Sequence, residues 1–265
     1  MIPPAAARAN TLKTLGIAAR PTLLFVVAFA LSITPHEAAH ALTGYLLGFN
    51  STIFQMWVNP DRAGATPAQL ATIAAAGPIF SLTAGTICWL FYASRFKRRP
   101  FGLVFLMLVL VGIDSFLGPM AGAAFGGDFH TAFGFLGTPA WACVAVSITG
   151  FVLLAAFMFQ MGQELEGWVP RDFGRVPSVL GATVAPPVIG TLLALSLYWP
   201  LPGILVRSTL GGSAIWVFAV IGAAFAVRRP HPDRELRAFT RADAVLAIAA
   251  VVMVRIFAMG IRLAR

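Results

Sequence analysis

The stretch PTLLFVVAFALSITPHEAAHALTGYLLG, from Pro21 to Gly48, decides how this chain is read. About twenty apolar residues suffice to cross a bilayer, and this run is longer, yet it carries His36, Glu37 and His40 within five positions. On a helix, histidines four residues apart leave the same face one turn apart. H-E-x-x-H is the pattern by which a helix offers two imidazoles to a zinc ion and places a carboxylate beside the metal's water. Ionisable groups are costly in hydrocarbon, so three of them together need a purpose there. The plain alternative is a pair of hydrogen-bonded structural histidines next to a surface glutamate, a reading that suits a soluble helix better than a membrane helix.

Composition sets the class. Of the 265 residues, 58% are hydrophobic and 11% charged, and the mean hydropathy is +0.83. This describes an integral membrane protein rather than a soluble domain. Apolar runs of about twenty residues recur along the chain, which argues for helical spans and against a barrel. The net charge of +9 does not indicate nucleic acid as a partner, because the basic residues fall in short loops between spans, where charge orients a membrane protein. Cys88 and Cys143 lie in separate apolar runs and form no C-x-x-C pair, so neither a disulfide framework nor a thiolate metal site has support. Arg8 to Ala30 has the look of a signal peptide, but cleavage near Ala30 would cut the span ahead of His36, and it reads as an uncleaved first helix.

Hydropathy predicts an all-α, polytopic transmembrane bundle of six to seven spans: Pro21 to Gly48, Ala68 to Ser94, Phe101 to Ala124, Pro139 to Met161, Pro177 to Tyr198, Leu205 to Val227 and Ala242 to Leu263. Pro186-Pro187 must break or kink the fifth, since neither residue donates a backbone hydrogen bond. Arg255 interrupts the seventh, which is either a tilted span or an interfacial helix. Met161 to Val176 and Arg228 to Arg241 read as polar loops. With a cytoplasmic N-terminus, fourteen of the nineteen basic residues fall on the inner side, an asymmetry that fixes the orientation. A bacterial inner membrane is the expected location. No internal repeat is visible. The chain reads as one membrane domain, with residues 1–134 as a catalytic three-helix core and residues 135–265 as additional helices.

His36 lies fifteen residues into the first span, or about 22 Å at the helical rise, in the outer half of a hydrocarbon core about 30 Å thick. Thr34-Pro35 just before it can open the helix backbone. Two histidines do not complete a catalytic zinc site, which takes three protein ligands and leaves the fourth position for water. Asp128, in Gly126-Gly127-Asp128-Phe129-His130, follows the third span on the outer side and ranks first as the third ligand. His130 and Asp114, the latter inside the third span, are the other candidates. Asp128 is also an ordinary turn residue after two glycines, and Asp114 equally suits a hydrogen bond to a neighbouring helix. Glu164 and Glu166 are assigned to the inner loop and are badly placed for the site.

Ala74-Ala75-Ala76-Gly77-Pro78, with Ser81 and Gly85, gives the second span a small-residue face for close packing on the first, and Pro78 frees a carbonyl. Between these spans, Ser51-Thr52-Ile53-Phe54-Gln55-Met56-Trp57-Val58 is rich in β-formers and is followed by Asn-Pro and Gly turn signals. It reads as a short membrane-dipping strand or hairpin whose edge can hold an unwound peptide by strand addition, or as an interfacial loop anchored by Trp57.

His36-Glu37-Ala38-Ala39-His40-Ala41, the following Tyr45-Leu46-Leu47-Gly48, Ala76-Gly77-Pro78 in the next span and an aspartate after the third together resemble the site-2 protease (M50) class of intramembrane zinc metalloproteases. The likeness covers the first half of the chain, to about Gly134. It implies zinc held by His36, His40 and Asp128, Glu37 as general base, and a membrane-embedded substrate helix. The chain departs from the family where the aspartate usually sits in Leu-Asp-Gly behind an Asn-x-x-Pro. Here glycines precede Asp128, Phe129 follows it, and the upstream segment is Asp114-Ser115-Phe116-Leu117-Gly118-Pro119. This makes a divergent member.

The main rival is an ion-coupled transporter, which also uses buried His, Glu and Asp and proline-broken helices. A histidine-box oxygenase needs more histidines than the four present. A haem span, with axial ligands such as His36 and His130, leaves Glu37 without a role. Nothing in the sequence sets the oligomeric state.

Overall fold

A computed structural model describes residues 5–60, 63–97, 99, 101–169, 176, 179–199, 213–226 and 240–264. The fold is all-α, with three short strands among the described residues. In chain order the elements are α1 (Ala5–Leu46), β1 (Ser51–Ile53), β2 (Val58–Pro60), α2 (Pro67–Phe91) continuing into a π-helical turn at Tyr92–Phe96, α3 (Gly102–Ala121), α4 (Asp128–Phe135) and α5 (Ala140–Glu166). Wide π turns at Leu180–Val184 and Pro186–Gly190 lead into α6 (Thr191–Leu197), and a 3₁₀ turn at Ser213–Trp216 into α7 (Val217–Phe225). Last come α8 (Arg241–Ala258) and β3 (Ile261–Leu263).

Among the described residues, five helical segments are long and apolar enough to cross a membrane: Ala18–Leu46, Pro67–Phe96, Gly102–Ala121, Ala140–Glu166 and Leu180–Leu197. They correspond to the first five expected spans. The sixth is described only from residue 213, where Ala214–Phe225 is a shorter apolar helix. The seventh is corrected. Its helix ends at Ala258, because Gly260 takes φ +75° and turns the chain into β3. The first helix begins well before Pro21, since Ala5 to Arg20 is rich in Ala, Leu, Lys and Arg, all good helix formers. The loop expected from Met161 is also corrected. α5 runs on through Glu164 to Glu166, and Glu164 accepts hydrogen bonds from the Tyr92 hydroxyl (2.9 Å) and Lys97 Nζ (2.8 Å). Pro186-Pro187 does not end its helix. The wide turns absorb the two missing donors, and the Ala185 N–H reaches back five residues to the Leu180 carbonyl.

The chain forms two compact units. One comprises residues 1–28, 90–107 and 156–248. Its core holds the fully buried Leu24, Tyr92, Leu106, Met158, Trp168 and Tyr198. Apolar side chains gain little by leaving lipid, so close backbone approach matters more than burial. Gly162 of α5 lies against the backbone of Ala219, and Gly222 of α7 lies against that of Phe159. A methyl group at either glycine would fall 2.6–2.8 Å from a carbonyl carbon.

Arg20 and Asp243 form a buried two-point ion pair in this unit, Nε to Oδ2 at 2.9 Å and Nη2 to Oδ1 at 3.3 Å. Thr240 caps α8 reciprocally. Its N–H donates to Asp243 Oδ2 (2.9 Å), and its Oγ1 accepts from the Asp243 N–H (3.2 Å).

The other unit comprises residues 29–89, 108–155 and 249–265. Gly85 of α2 and Gly112 of α3 meet where these helices cross, and a Cβ on Gly112 would lie 3.0 Å from the Gly85 Cα. The Ser147 hydroxyl of α5 donates to the Ala121 carbonyl at the end of α3. The expected hairpin forms. β1 pairs antiparallel with β2 (Thr52 opposite Asn59), and the Phe54 N–H bonds the Trp57 carbonyl across the turn at 2.8 Å. β3 adds a third strand on the opposite edge of β1, giving the order β2-β1-β3.

Burial alone would raise the Asp243 carboxyl, but the hydrogen bonds from Arg20 and Thr240 and the guanidinium charge outweigh it and hold the group below its ordinary value. A depressed carboxylate stabilises the fold fully above its unfolded pKa of about 3.9, and that contribution fades as pH falls through the lower folded value. Asp243→Ala is expected to cost about 3–5 kcal/mol at neutral pH by stranding Arg20. Thermal unfolding in detergent should show that loss and a flatter acid limb below pH ~4 than in the wild type.

Candidate metal centre

His36 and His40 sit on α1, and the α2 face opposite them presents Ile73, Gly77 and Ser81, also four residues apart. The two rows run antiparallel and are joined by hydrogen bonds at both ends. His40 Nδ1 lies 2.6 Å from the Ile73 carbonyl, and His36 Nδ1 lies 2.9 Å from Ser81 Oγ. A carbonyl only accepts, so His40 Nδ1 carries the proton, and in the neutral ring Nε2 is left with a bare lone pair. Ser81 Oγ can accept Nδ1–H from the same tautomer of His36. Such outer hydrogen bonds orient metal-binding imidazoles.

The two Nε2 atoms are 3.2 Å apart, with the rings edge to face at 79°. Asp128 Oδ2 lies 3.2 Å from His36 Nε2 and 3.7 Å from His40 Nε2. Ligands about 2.0–2.1 Å from a tetrahedral ion are separated by roughly 3.3 Å, so this triangle has the dimensions of one face of such a site. Three electron-pair donors at this spacing repel one another unless a positive charge lies among them. His36, His40 and Asp128 can therefore hold a metal ion, and among the described residues they are the group of His, Cys, Asp and Glu side chains that meets that requirement.

Each element contributes a specific fit. Both histidines are buried. Gly77 backs directly onto the imidazoles; a Cβ there would fall 2.6 Å from His36 Nε2 and 2.7 Å from His40 Cε1, and closer still to His40 Nε2. Asp128 opens α4 and is aimed by Gly127, whose φ of +91° is a conformation that a residue with a side chain rarely adopts. Phe129 packs edge to face on Phe116 of α3 (5.6 Å) and steadies that helix end. Glu37 is half-buried and lies within electrostatic reach of His40, His36 and Asp128.

β1 runs beside the stretch of α1 that carries the motif. Thr34 Oγ1 donates to the Gln55 carbonyl (3.4 Å), two residues before His36, and a Cβ on Gly44, four residues after His40, would touch Ser51 Oγ at 3.0 Å.

The other candidates are not brought into the triangle. His130 is exposed and bonds the Ala123 carbonyl through Nδ1 (3.1 Å). Asp114 stays within α3, and the metal-sized group does not include it. The residues that sequence reasoning missed are Ser81 and Ile73. Ser81 was visible only as a small residue on a packing face. Ile73 acts through its carbonyl, to which its side-chain identity gives no clue.

No family model, curated protein or solved structure matches the chain.

Ser81→Ala removes one orienting bond and is expected to weaken metal affinity about 10- to 100-fold, read by competition with a chelator. Gly77→Ala should weaken it at least as much, since the added methyl occupies the space of the imidazole edges. His130→Ala should leave metal affinity unchanged in the same titration.

Proposed function

We propose that this chain is a multi-pass membrane zinc metalloendopeptidase of the site-2 protease kind, hydrolysing peptide bonds in membrane-embedded helices. The observation that carries the reading is the donor triangle of His36, His40 and Asp128 with Glu37 beside it. Two imidazoles and one carboxylate, with a free fourth position, is the ligand pattern of catalytic zinc. The orientation with a cytoplasmic N-terminus, and residence in a bacterial inner membrane, belong to the same proposal.

A zinc ion held there supplies an activated water and a Lewis acid for the scissile carbonyl. Glu37 takes a proton from the attacking water and later delivers it to the leaving amine. The Ser81 and Ile73 bonds keep both imidazoles turned inward through the cycle. An intact substrate helix shields its peptide bonds, so the segment to be cut must unwind, and Gly, Pro or Asn near the cut should favour cleavage.

Glu37→Gln separates the two roles of the motif. Purified wild type should carry one zinc per chain and cut a membrane-protein reporter. Glu37→Gln should keep the zinc and lose turnover by about 10²-fold or more, whereas His40→Ala should lose both. Undiminished cleavage by Glu37→Gln would remove the assigned base. Absence of zinc together with substrate-dependent proton flux in vesicles would favour the transporter reading.

A further inference from the structure

The third strand of the sheet occupies an edge that the proposed chemistry needs. β1 lies along the motif-bearing stretch of α1, fixed at one end by Thr34 and Gln55 and at the other by the close approach of Gly44 and Ser51. β2 covers one edge of β1, and β3 covers the other, with Ser51 opposite Leu263, Thr52 opposite Arg262 and Ile53 opposite Ile261. Neither edge of β1 is open to a peptide while β3 is in place.

β3 is held weakly. It is three residues long, and none of its side chains is buried. It joins α8 through Met259 and Gly260. Gly260 sits at φ +75°, with the Phe54 ring 2.9 Å from where a Cβ would be. A glycine in this conformation is a place where the chain can change direction at small cost. Any extended antiparallel segment can serve on that edge, because the bonds that hold it are made by backbone groups.

We propose that β3 is a displaceable strap on a peptide-docking edge of β1, and that the unwound segment of a membrane-embedded substrate replaces it strand for strand next to the metal centre. The proposal rests on the proteolytic reading above for the identity of that segment. The exchange itself rests on the sheet alone. β3 excludes chains that cannot supply a full antiparallel partner, so it sets a threshold for substrate entry.

Thr52 and Arg262 face each other across the β1–β3 pair, so a Thr52→Cys/Arg262→Cys protein can be locked by oxidation. It is made with Cys88→Ala and Cys143→Ala to remove the native thiols. Two readouts are taken on full-length zinc-loaded protein in nanodiscs. The first is binding of a fluorescent peptide MGIRLA, a copy of Met259 to Ala264, in a Glu37→Gln background. The second is kcat/KM on a membrane-protein reporter with Glu37 intact.

The locked form should bind the peptide at least on the order of tenfold more weakly than the reduced form, and cleavage should fall on a similar scale, both restored by reductant. Deleting residues 260–265 should raise peptide affinity above that of the wild type. Equal peptide binding and equal cleavage in the locked and reduced forms would overturn the strap. If the deletion unfolds the protein, the locked and reduced pair still decides. Lock-sensitive peptide binding in a protein that holds no zinc and cleaves nothing would keep the strap and reject the protease. Zinc-dependent cleavage indifferent to the lock would do the reverse.

Discussion

The candidate metal centre depends on two hydrogen bonds that point away from it. His40 Nδ1–H is committed to the Ile73 carbonyl and His36 Nδ1 to the Ser81 hydroxyl. With the outer nitrogens spoken for, both Nε2 atoms turn inward to meet at 3.2 Å. Everything else near the centre follows from keeping that geometry. α2 must come close enough to offer the two acceptors, which Gly77 permits by having no side chain to intrude. Asp128 must arrive from a separate element, which Gly127 permits by turning the chain sharply into α4. Two glycines remove steric obstacles, and two acceptors supply direction.

Much of this was legible in the sequence, and the reason is periodicity. Residues three or four apart on a helix share a face, so the spacing of His36, Glu37 and His40 sets their side of α1. Asp128 followed from topology, because an aspartate just beyond the third span returns to the same side as the motif. The five long apolar helices were legible because each run is longer than helix-end uncertainty. Ends were not. Glu164 and Glu166 look like loop residues by charge, yet α5 extends through them, since Lys97 and Tyr92 supply partners that keep Glu164 at a helix end.

What stayed hidden shares one physical character: it depends on backbone groups or on pairing between distant segments. The Ile73 carbonyl is one of these. β3 is another, since three residues are too few for an alternating pattern to show and its partner lies on the other side of most of the chain. The π turns around Pro186-Pro187 are a third. Proline chemistry indicates that the α-helical ladder cannot continue, but not whether the chain will break, bend or widen.

Chain order gives the last strand a temporal meaning. The Arg20–Asp243 pair joins residues 223 positions apart, and β3 follows α8, whose first turn carries Asp243. While a ribosome is still making α5, the first two strands and all three donors of the metal triangle have already been synthesised, but β1 has one bare edge. The growing polypeptide thus passes through a stage in which the donor triangle exists before the strand that covers the second edge of β1. The interval closes only when Ile261 to Leu263 have been made and pair with β1.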